Sequence, residues 1–388
     1  MAYIRSSLVL TLFSMYISIV LASPMAYNVV SLEAKADGKS DSTQAFVSAW
    51  TKACASVKPA IIYVPVGRFY LRQLVFSGPC NNNAIIMRIA GTLVAPADYR
   101  VLGNTGNWLL FEHVDGVTIS GGILDGQGIG LWACKASGNS CPSGATALEF
   151  SNSNNIVVHA LTSLNSQMFH IVVNGCHNVK MQGIRVIAAG NSPNTDGIHV
   201  QLSSSVTILN SKIGTGDDCI SIGPGTTNLG IENVACGPGH GIRSSNGFAR
   251  NILFQHAVMT NVQNPIAIDQ NYCPGQVSGV KISDVTYQDI HGHQQQSPGN
   301  PCSRVRLENV KLTYKNQVAQ ASCSHAVGTS AESSGWLALH TAIPTLENLR
   351  RKHVIEHVWC VHDSQVKLNV DGAIISDIQT TIIRNDMG

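Results

Sequence analysis

The chain has 388 residues, of which 44% are hydrophobic, so it can bury a large core and lacks the composition of a disordered protein. Charged residues make up only 12% of the chain, which excludes a coiled coil or a charged helical bundle. The 35 glycines favour short strands and tight turns. A net charge of +2 gives no global field that attracts nucleic acid, so no nucleic-acid partner is expected.

A removable secretory signal is predicted at the N-terminus. Arg5 supplies a positive charge before the apolar run 8–21, and residues 20–22 have the small-residue ending of a cleavage site. Residues 1–22 are therefore predicted to be a signal peptide, with Ser23 starting a secreted chain that has no membrane contact; an uncleaved anchor is the alternative. Secretion predicts that the 11 cysteines form disulfides, and their odd number leaves at least one thiol unpaired.

One apolar pattern recurs from residue 117 onward. Apolar residues stand at positions 0, +2, +5 and +7 of each copy, as in Val179, Met181, Ile184 and Val186. Further copies start at Val117, Ile156, Val206, Leu229, Ile252, Val280 and Val305. The period-2 pairs indicate strands and the change of phase indicates a bend, so repeats of 23 to 28 residues are typical of the turns, or rungs, of a parallel β-helix. A β-sandwich is the alternative, although it predicts hairpins and no fixed period.

A solenoid of this kind needs a cap at its end. Residues 42–56 predict a helix that covers the first rung, with Asp41 or Ser42 as its N-cap. Its apolar face comprises Ala45, Phe46, Ala49, Trp50 and Ala53. A disulfide between Cys54 and Cys80 would tie this helix to the first rungs. We expect one all-β domain over residues 23–330, because no linker divides that range.

Acidic residues cluster on three consecutive predicted rungs. Asp196 and Asp217 are 21 residues apart, and Asp218 and His240 are 22 residues apart, so stacking places all four in one column. Carboxyl groups this close cannot all ionise freely, and at least one pKa is expected to rise. A carboxylic acid beside a carboxylate suits glycosidic cleavage, because one protonates the leaving oxygen and the other activates water or attacks.

Structural interpretations of the same residues remain open at this point. The Asp217-Asp218 pair near glycine could bind calcium, and His240 could be a satisfied buried histidine. Asn178 and Asn194 could form hydrogen-bonded ladders within the stack. Cys219 and Cys236 lie on either side of the acidic turn, which predicts a disulfide that holds it, although a sequence cannot prove a pairing.

Six short motifs occur in a fixed order along the chain. They are residues 30–38, 124–128, Asn194-Thr195-Asp196, Gly216-Asp217-Asp218, Gly239-His240-Gly241 and residues 264–272. In order and spacing they resemble the plant polygalacturonases of glycoside hydrolase family 28, over residues 27–329. The resemblance implies a right-handed parallel β-helix that hydrolyses α-1,4 bonds of polygalacturonic acid in demethylated pectin, with inversion and without a metal or other cofactor. It also implies a monomer that acts in the extracellular cell wall.

The resemblance also implies a role for each matching residue. Asp217 matches the general acid, and Asp196 and Asp218 match the residues that activate water. His240 matches the residue that tunes the acid. The positions expected to contact substrate are Asn194, Gly239 and Tyr272.

The chain departs from the family pattern at a missing rung, at two shorter gaps that follow Cys273 and Gly292, and in its tail. The family has a further rung with an Arg-Ile-Lys motif after the Gly-His-Gly turn, and here Ile242 runs directly into Arg243, which matches a later position than the motif arginine. Two cations that face the substrate carboxylate are thereby lost, and each such contact is worth about 1.5–3 kcal/mol. From residue 331 onward the tail, 331–388, is divergent. Its histidines and Cys360 could form a zinc site.

Three functions follow from this pattern. The first is a secreted polygalacturonase that modifies the cell wall. The second is a catalytically impaired wall protein that still binds pectin, because the acids persist while the Arg-Ile-Lys rung is absent. The third is a lyase on the same architecture, which would need calcium and a basic arginine, for which Arg243 is the nearby candidate.

Overall fold

Short parallel strands joined by bends and turns form most of the ordered chain. The structure is a computed structural model that describes residues 24–244, 249–268, 282–292, 302–314, 317–318, 326–331 and 358–359. The described residues include two α-helices, α1 (Thr43–Ala55) and α2 (Ile129–Ala136), and two 3-10 helices (Val30–Leu32 and Tyr99–Val101). The predicted signal peptide, Tyr272 and most of the divergent tail lie outside these residues, so the domain boundaries remain predictions.

The strands are numbered in chain order. The first half contains β1 (Met25–Asn28), β2 (Asp37–Asp41), β3 (Ala60–Val64), β4 (Arg68–Tyr70), β5 (Leu74–Ser77), β6 (Ile85–Ile89), β7 (Thr92–Val94), β8 (Asn107–Glu112), β9 (Val117–Ser120), β10 (Ile123–Asp125), β11 (Thr146–Ser151), β12 (Asn154–His159), β13 (Thr162–Leu164), β14 (Ile171–Asn174), β15 (His177–Gln182) and β16 (Arg185–Ile187). The second half contains β17 (Ile198–Gln201), β18 (Ser204–Gly214), β19 (Asp218–Ile222), β20 (Thr226–Cys236), β21 (Gly239–Ser244), β22 (Ala249–Met259), β23 (Val262–Ile268), β24 (Ile282–Gly292), β25 (Cys302–Glu308), β26 (Lys311–Tyr314), β27 (Gln317–Val318), β28 (Ala326–Ala331) and β29 (Val358–Trp359).

Strand pairing confirms the all-β parallel β-helix. One sheet of eight strands runs from β5 through β8, β11, β14, β17, β19 and β21 to β23, and each strand in it is parallel to its neighbour. The other sheet contains 21 strands from the remaining faces of the coil. Only the β26–β27 and β28–β29 pairs are antiparallel among the described strands. Each pass of the chain therefore stacks in parallel on the pass before it.

The register matches the predicted repeat except in one copy. Ile156 pairs with Val179, Val179 with Val206, and the column continues through Leu229 and Ile252. The next member of the column is Val285, which pairs with Ile252, so the copy predicted to start at Val280 starts five residues later. That prediction was wrong because Val285, Tyr287 and Ile290 also satisfy the apolar spacing at 0, +2 and +5, so a second register competes with the one that starts at Val280.

Left-handed residues produce the change of phase inside each repeat. The residue at position +4 has a positive φ in all eight copies: Gly121, Ala160, Gly183, Asn210, Asn233, His256, Asp289 and Asn309. A left-handed residue turns the strand so that the apolar side chain at +5 again points inward. Several bend asparagines also bond to the bend below, since Asn233 Nδ2 donates to Asn210 Oδ1 at 2.7 Å and Asn178 Nδ2 donates to Asn155 Oδ1 at 2.6 Å. The predicted ladder therefore forms at Asn178.

Aromatic rings stack along the interior, and α1 closes one end. Phe76, Phe111 and Phe150 occupy successive rungs, with ring centroids 4.4 and 5.3 Å apart. The buried face of α1 comprises Ala45, Phe46, Ala49, Trp50 and Ala53, as predicted. Asp41 Oδ1 accepts from the Thr43 amide at the start of the helix, while Ser42 makes no side-chain cap bond. The predicted disulfide between Cys54 and Cys80 holds the end of the helix. Within the described ranges no helix is long and apolar enough to cross a membrane.

Candidate active site

Three neighbouring rungs bring the acidic residues together. Asp196 precedes β17, Asp217 and Asp218 lie at the start of β19, and His240 lies in β21. β17 pairs with β19 and β19 pairs with β21, so these residues are neighbours along one face of the helix. The ligand atoms of Asp217, Asp218 and His240 all lie within 4.8 Å of one another. The predicted column of one imidazole and three carboxyl groups is thus present in the structure.

Hydroxyl groups fix the two turns that carry the aspartates. The buried Thr195 Oγ1 lies 2.7 Å from Ser192 Oγ and 2.6 Å from Thr215 Oγ1. The amide of Gly216 donates to Ser192 Oγ at 3.1 Å. A Cβ at Gly216 would lie 2.2 Å from the Ser192 carbonyl oxygen, so only glycine permits this approach. The turn before Asp196 and the turn before Asp217 therefore form one bonded unit.

The imidazole of His240 bonds to Asp217. His240 Nδ1 lies 3.0 Å from Asp217 Oδ1, and the His240 amide donates to the Asp217 carbonyl at 2.8 Å. A Cβ at Gly239 would meet that carbonyl oxygen at 2.9 Å, which explains the glycine beside the histidine. The disulfide between Cys219 and Cys236 joins the two rungs behind this contact. The Gly-His-Gly turn is therefore held against the acidic turn by backbone, side-chain and covalent links.

Burial distributes protons unevenly among the three carboxyl groups. Burial, with added repulsion from Asp217, raises the pKa of Asp196 to about 7. Burial likewise raises the pKa of Asp218 to about 6. Burial also acts to raise the pKa of Asp217, but the hydrogen bond and charge of His240 outweigh it and leave that pKa lowered. The hydrogen bond to Asp217 raises the pKa of His240 in turn. At least one carboxyl pKa rises, as the clustering predicts.

Arg243 is a further charged member of the cluster. Its Nε lies 3.5 Å from Asp218 Oδ2, and the two side chains are 23% and 6% exposed. Arg243 pairs in register with Ser221, one rung after the aspartates. Its charge opposes the rise in the pKa of Asp218. Arg243, which follows the point where the Arg-Ile-Lys rung is missing, therefore contacts Asp218 and belongs to the acidic cluster.

Two residues near Asp196 were not identified from the sequence. Ser221 Oγ donates to Asp196 Oδ2 at 2.6 Å and lies 2.7 Å from His199 Nδ1. His199 and Ser221 are direct register partners on β17 and β19. Each follows an aspartate of the site by three residues, and they lie one rung apart along the chain. That shared offset was the signal that could have revealed them.

The predicted substrate-contact residues are less closely tied to the cluster. Asn194 is exposed and has a left-handed φ of 56°, just before the buried Thr195. Gly239 lies directly beside His240.

Asp217, Asp218 and His240 have the spacing to hold a cation, so the calcium alternative stays testable. Within the described residues the free cysteine is the buried Cys176.

Sequence comparison finds relatives over most of the chain. The profile of the glycosyl hydrolases family 28 matches residues 54–245 and 242–332. A polygalacturonase from Prunus persica is 62% identical over 383 aligned positions, covering 85% of this chain and 98% of that protein. An exopolygalacturonase from Platanus acerifolia is 37% identical over 365 positions, covering 79% of this chain and 96% of that protein.

The alignments also bear on the missing rung. The alignment with the Prunus persica protein has 383 positions but includes only 85% of the 388 residues here, so some of its positions have no counterpart in this chain. The two profile matches meet at residues 242–245, where the Arg-Ile-Lys rung is expected. The first observation agrees with the loss of internal positions, and the second agrees with a break at that junction.

Solved structures share the fold at low sequence identity. The endo-xylogalacturonan hydrolase from Aspergillus tubingensis superposes with a TM-score of 0.64 at 20% identity, covering 79% of this chain and 89% of that one. The polygalacturonase from Erwinia carotovora ssp. carotovora superposes with a TM-score of 0.56 at 19% identity, covering 78% and 97%. These similarities agree with the parallel β-helix that the strand pairing shows.

Proposed function

Since the chain belongs to glycosyl hydrolase family 28, we propose that it is a polygalacturonase that hydrolyses the α-1,4-galacturonosidic bonds of demethylated pectin. The observation that carries this proposal is the column of Asp196, Asp217, Asp218 and His240 on three consecutive rungs. It offers a group that can deliver a proton and groups that can activate water on one surface.

The proton for the leaving oxygen comes from the pair that Asp217 forms with His240. The pKa of His240 is raised and the pKa of Asp217 is lowered, so the proton of the resting pair lies on the imidazole. For Asp217 to protonate the glycosidic oxygen, the imidazolium of His240 first passes its proton to the Asp217 carboxylate across the 3.0 Å contact, and the carboxyl group then delivers that proton to the leaving oxygen, which leaves a neutral imidazole beside a carboxylate. Asp217 thus acts as the general acid, and His240 supplies its proton.

Asp196 and Asp218 act as bases toward water. Their raised pKa values make their ionised forms stronger bases than an exposed aspartate. Inverting enzymes separate their carboxyl groups by roughly 6.5–9.5 Å, and retaining enzymes by roughly 5–5.5 Å. The ligand atoms of Asp217 and Asp218 lie within 4.8 Å of each other, which is closer than the separation typical of inverting enzymes. We therefore assign the activation of water first to Asp196, with Asp218 assisting. Inversion predicts the β-anomer as the first product, which proton NMR of the fresh digest detects.

The substrate carboxylates need a cation in the groove. Besides the protonated imidazole of His240, Arg243 is the cation in contact with the acidic cluster within the described residues, and it already forms an ion pair with Asp218. Each charge-assisted contact is worth about 1.5–3 kcal/mol, so loss of the Arg-Ile-Lys rung is expected to raise KM for polygalacturonate. Restoring that rung is the direct comparison: a lower KM with little change in kcat supports this reading.

The protein acts in the cell wall in this proposal. A signal peptide over residues 1–22 directs the chain outward, and a single domain over 23–330 follows as a monomer, with 331–388 as an appended tail. Three disulfides among the described residues suit an oxidising compartment. Sequencing the N-terminus of protein recovered from the medium of expressing plant cells tests this, because cleavage predicts Ser23 as the first residue.

Incubation with polygalacturonate in the presence of EDTA tests the activity. We expect new reducing ends without absorbance from unsaturated products, because hydrolysis adds water and needs no metal here. Unsaturated products that vanish with EDTA indicate a calcium-dependent lyase instead. Retention on a pectate column without any product indicates a binding protein. The Asp196→Asn variant is the control, since it keeps the shape of the site and removes a base.

A further inference from the structure

The hydroxyl of Ser221 lies between Asp196 and His199, and it has only one proton to donate. Its Oγ lies 2.6 Å from Asp196 Oδ2 and 2.7 Å from His199 Nδ1. An ionised carboxylate only accepts hydrogen bonds. When Asp196 is ionised, Ser221 must therefore donate to it, and the serine oxygen is left to accept from His199. His199 then carries its proton on Nδ1.

The surroundings of His199 fix its ring and keep it neutral. Phe169 stacks on the imidazole with ring centroids 5.3 Å apart and an interplanar angle of 20°. His199 Nε2 lies 3.2 Å from the side-chain amide of Gln201, whose oxygen and nitrogen can exchange places. Burial lowers the pKa of His199. The ring is therefore held by contacts on both nitrogens and on its face.

The groups that face Asp196 come from both neighbouring rungs. Asp217 and Asp218 lie on the rung that follows, and both raise its pKa. On the preceding rung, the amide of His170 donates to the Asp196 carbonyl, while the His170 ring bonds to Ser163. Burial lowers the pKa of His170 to about 3, so that ring adds no charge. The hydrogen bond from Ser221 is thus the side-chain contact that opposes protonation of Asp196.

We propose that Ser221 and His199 are positioning residues that orient the Asp196 carboxylate and commit the Ser221 hydroxyl as a donor to it. This rests on the proposed function, in which Asp196 is a base. Ser221 occupies Oδ2, which leaves Oδ1 as the oxygen that takes the proton of the attacking water. His199 has no contact with substrate in this scheme. It acts through Ser221, because its Nδ1–H prevents the hydroxyl from turning away.

Substitutions at the two positions separate orientation from packing. Ser221→Ala removes the donor, so kcat is expected to fall about 10- to 100-fold, the usual effect of losing a hydrogen bond to a charged group. KM is expected to stay within about twofold. Since the lost bond opposed protonation, the acidic limb of the pH–rate profile is expected to move to higher pH. His199→Phe keeps the stacking on Phe169 and is expected to reproduce these effects, while His199→Asn keeps an N–H near Nδ1 and is expected to retain most activity.

A second histidine–serine pair serves as the matched control. His177 Nδ1 lies 2.8 Å from Ser204 Oγ, and the two are register partners on β15 and β18, away from the acids. His177→Phe and Ser204→Ala are expected to leave kcat and the pH profile unchanged. Equal losses in both pairs, or an unmoved acidic limb in Ser221→Ala, overturn the proposal.

The tautomer of His199 is measurable without any activity. Nitrogen-15 NMR of histidine-labelled protein at pH 8, where Asp196 is ionised, is expected to show His199 protonated on Nδ1. The signal is assigned by its loss in His199→Asn. A proton on Nε2 at that pH overturns the proposal. If the unaltered chain fails to cut polygalacturonate, the proposed function fails, and the tautomer still decides whether Ser221 and His199 are arranged as described.

Discussion

Arg243 Nε lies 3.5 Å from Asp218 Oδ2. Asp218 begins β19, and Arg243 lies on β21, one rung later. The contact exists because Gly241 of β21 pairs with Asp218, and Arg243 follows two residues later on the same strand. The arginine lowers the pKa of both Asp218 and Asp217, against the effect of burial. A side chain next to the junction with the missing rung therefore contributes to the ionisation of Asp217 and Asp218, beside burial and His240.

Replacing Arg243 with Gln is expected to move the acidic limb of the kcat/KM profile to higher pH. Without the cation the pKa of Asp218 rises further above about 6, so a smaller fraction is ionised at any acidic pH. Activity at pH 5 is expected to fall about tenfold, the effect of one pKa unit. Arg243→Lys keeps the charge and is expected to shift the limb less. The exposed Arg250 provides the control substitution, and an unchanged limb in Arg243→Gln contradicts this account.

Asp217→Asn is expected to abolish turnover while binding is kept. The amide cannot donate a carboxyl proton, and the loss of a general acid typically costs about 10²- to 10⁴-fold. Initial rates and retention on a pectate column measure the two properties separately. The exposed Asp115 offers a control, because Asp115→Asn changes the same atoms away from the cluster. Turnover within a few-fold of the unaltered enzyme would remove Asp217 from the role of acid.

The fold could be predicted because its core repeats. Each copy supplies apolar residues at fixed offsets, and these offsets match the column through Val179, Val206 and Leu229. The sequence did not identify the left-handed residue at +4, because the position accepts Gly, Ala, Asn, His and Asp without one shared residue type. The start of the copy at Val285 was misplaced because the register from Val280 fills all four apolar positions, while the observed register has Gly292 at +7.

The site could be predicted in part because rung spacing alone brings Asp196, Asp217 and His240 together. Which of the carboxyl groups carries a proton could not be read from that spacing. It depends on the depth of burial and on the 3.0 Å contact between His240 and Asp217. The pairing of Ser221 with His199 was missed because serine and histidine on a strand have many ordinary roles, and only the register of the two strands joins them.

A left-handed bend predicts a specific order of stabilities at Asn233. Its φ is 55°, which glycine adopts freely and a β-branched residue adopts at a cost of roughly 1–2 kcal/mol. Asn233→Val is therefore expected to lower the free energy of unfolding by about that amount, in addition to the lost bond to Asn210. Asn233→Gly loses only the bond. Urea unfolding measures both, with the neighbouring exposed Glu232→Val as the control; equal stability of the Val and Gly variants contradicts the role of the bend.

Asp196→Asn is expected to stabilise the protein at neutral pH while it removes activity. The pKa of Asp196 is about 7 in the folded chain and 3.8 without the fold, so the folded state favours the protonated form. The stability from this group is present in full below about pH 4 and is lost as the pH rises through about 7. A neutral amide escapes that loss, so the gain over the unaltered chain is expected to grow from pH 5 to pH 8, where it reaches a few kcal/mol. Asp98→Asn is the control of opposite sign, because its hydrogen bond from Arg100 lowers the pKa of Asp98. Urea unfolding at the two pH values measures the difference, and a gain that does not change with pH would mean that Asp196 is not forced to ionise against its burial.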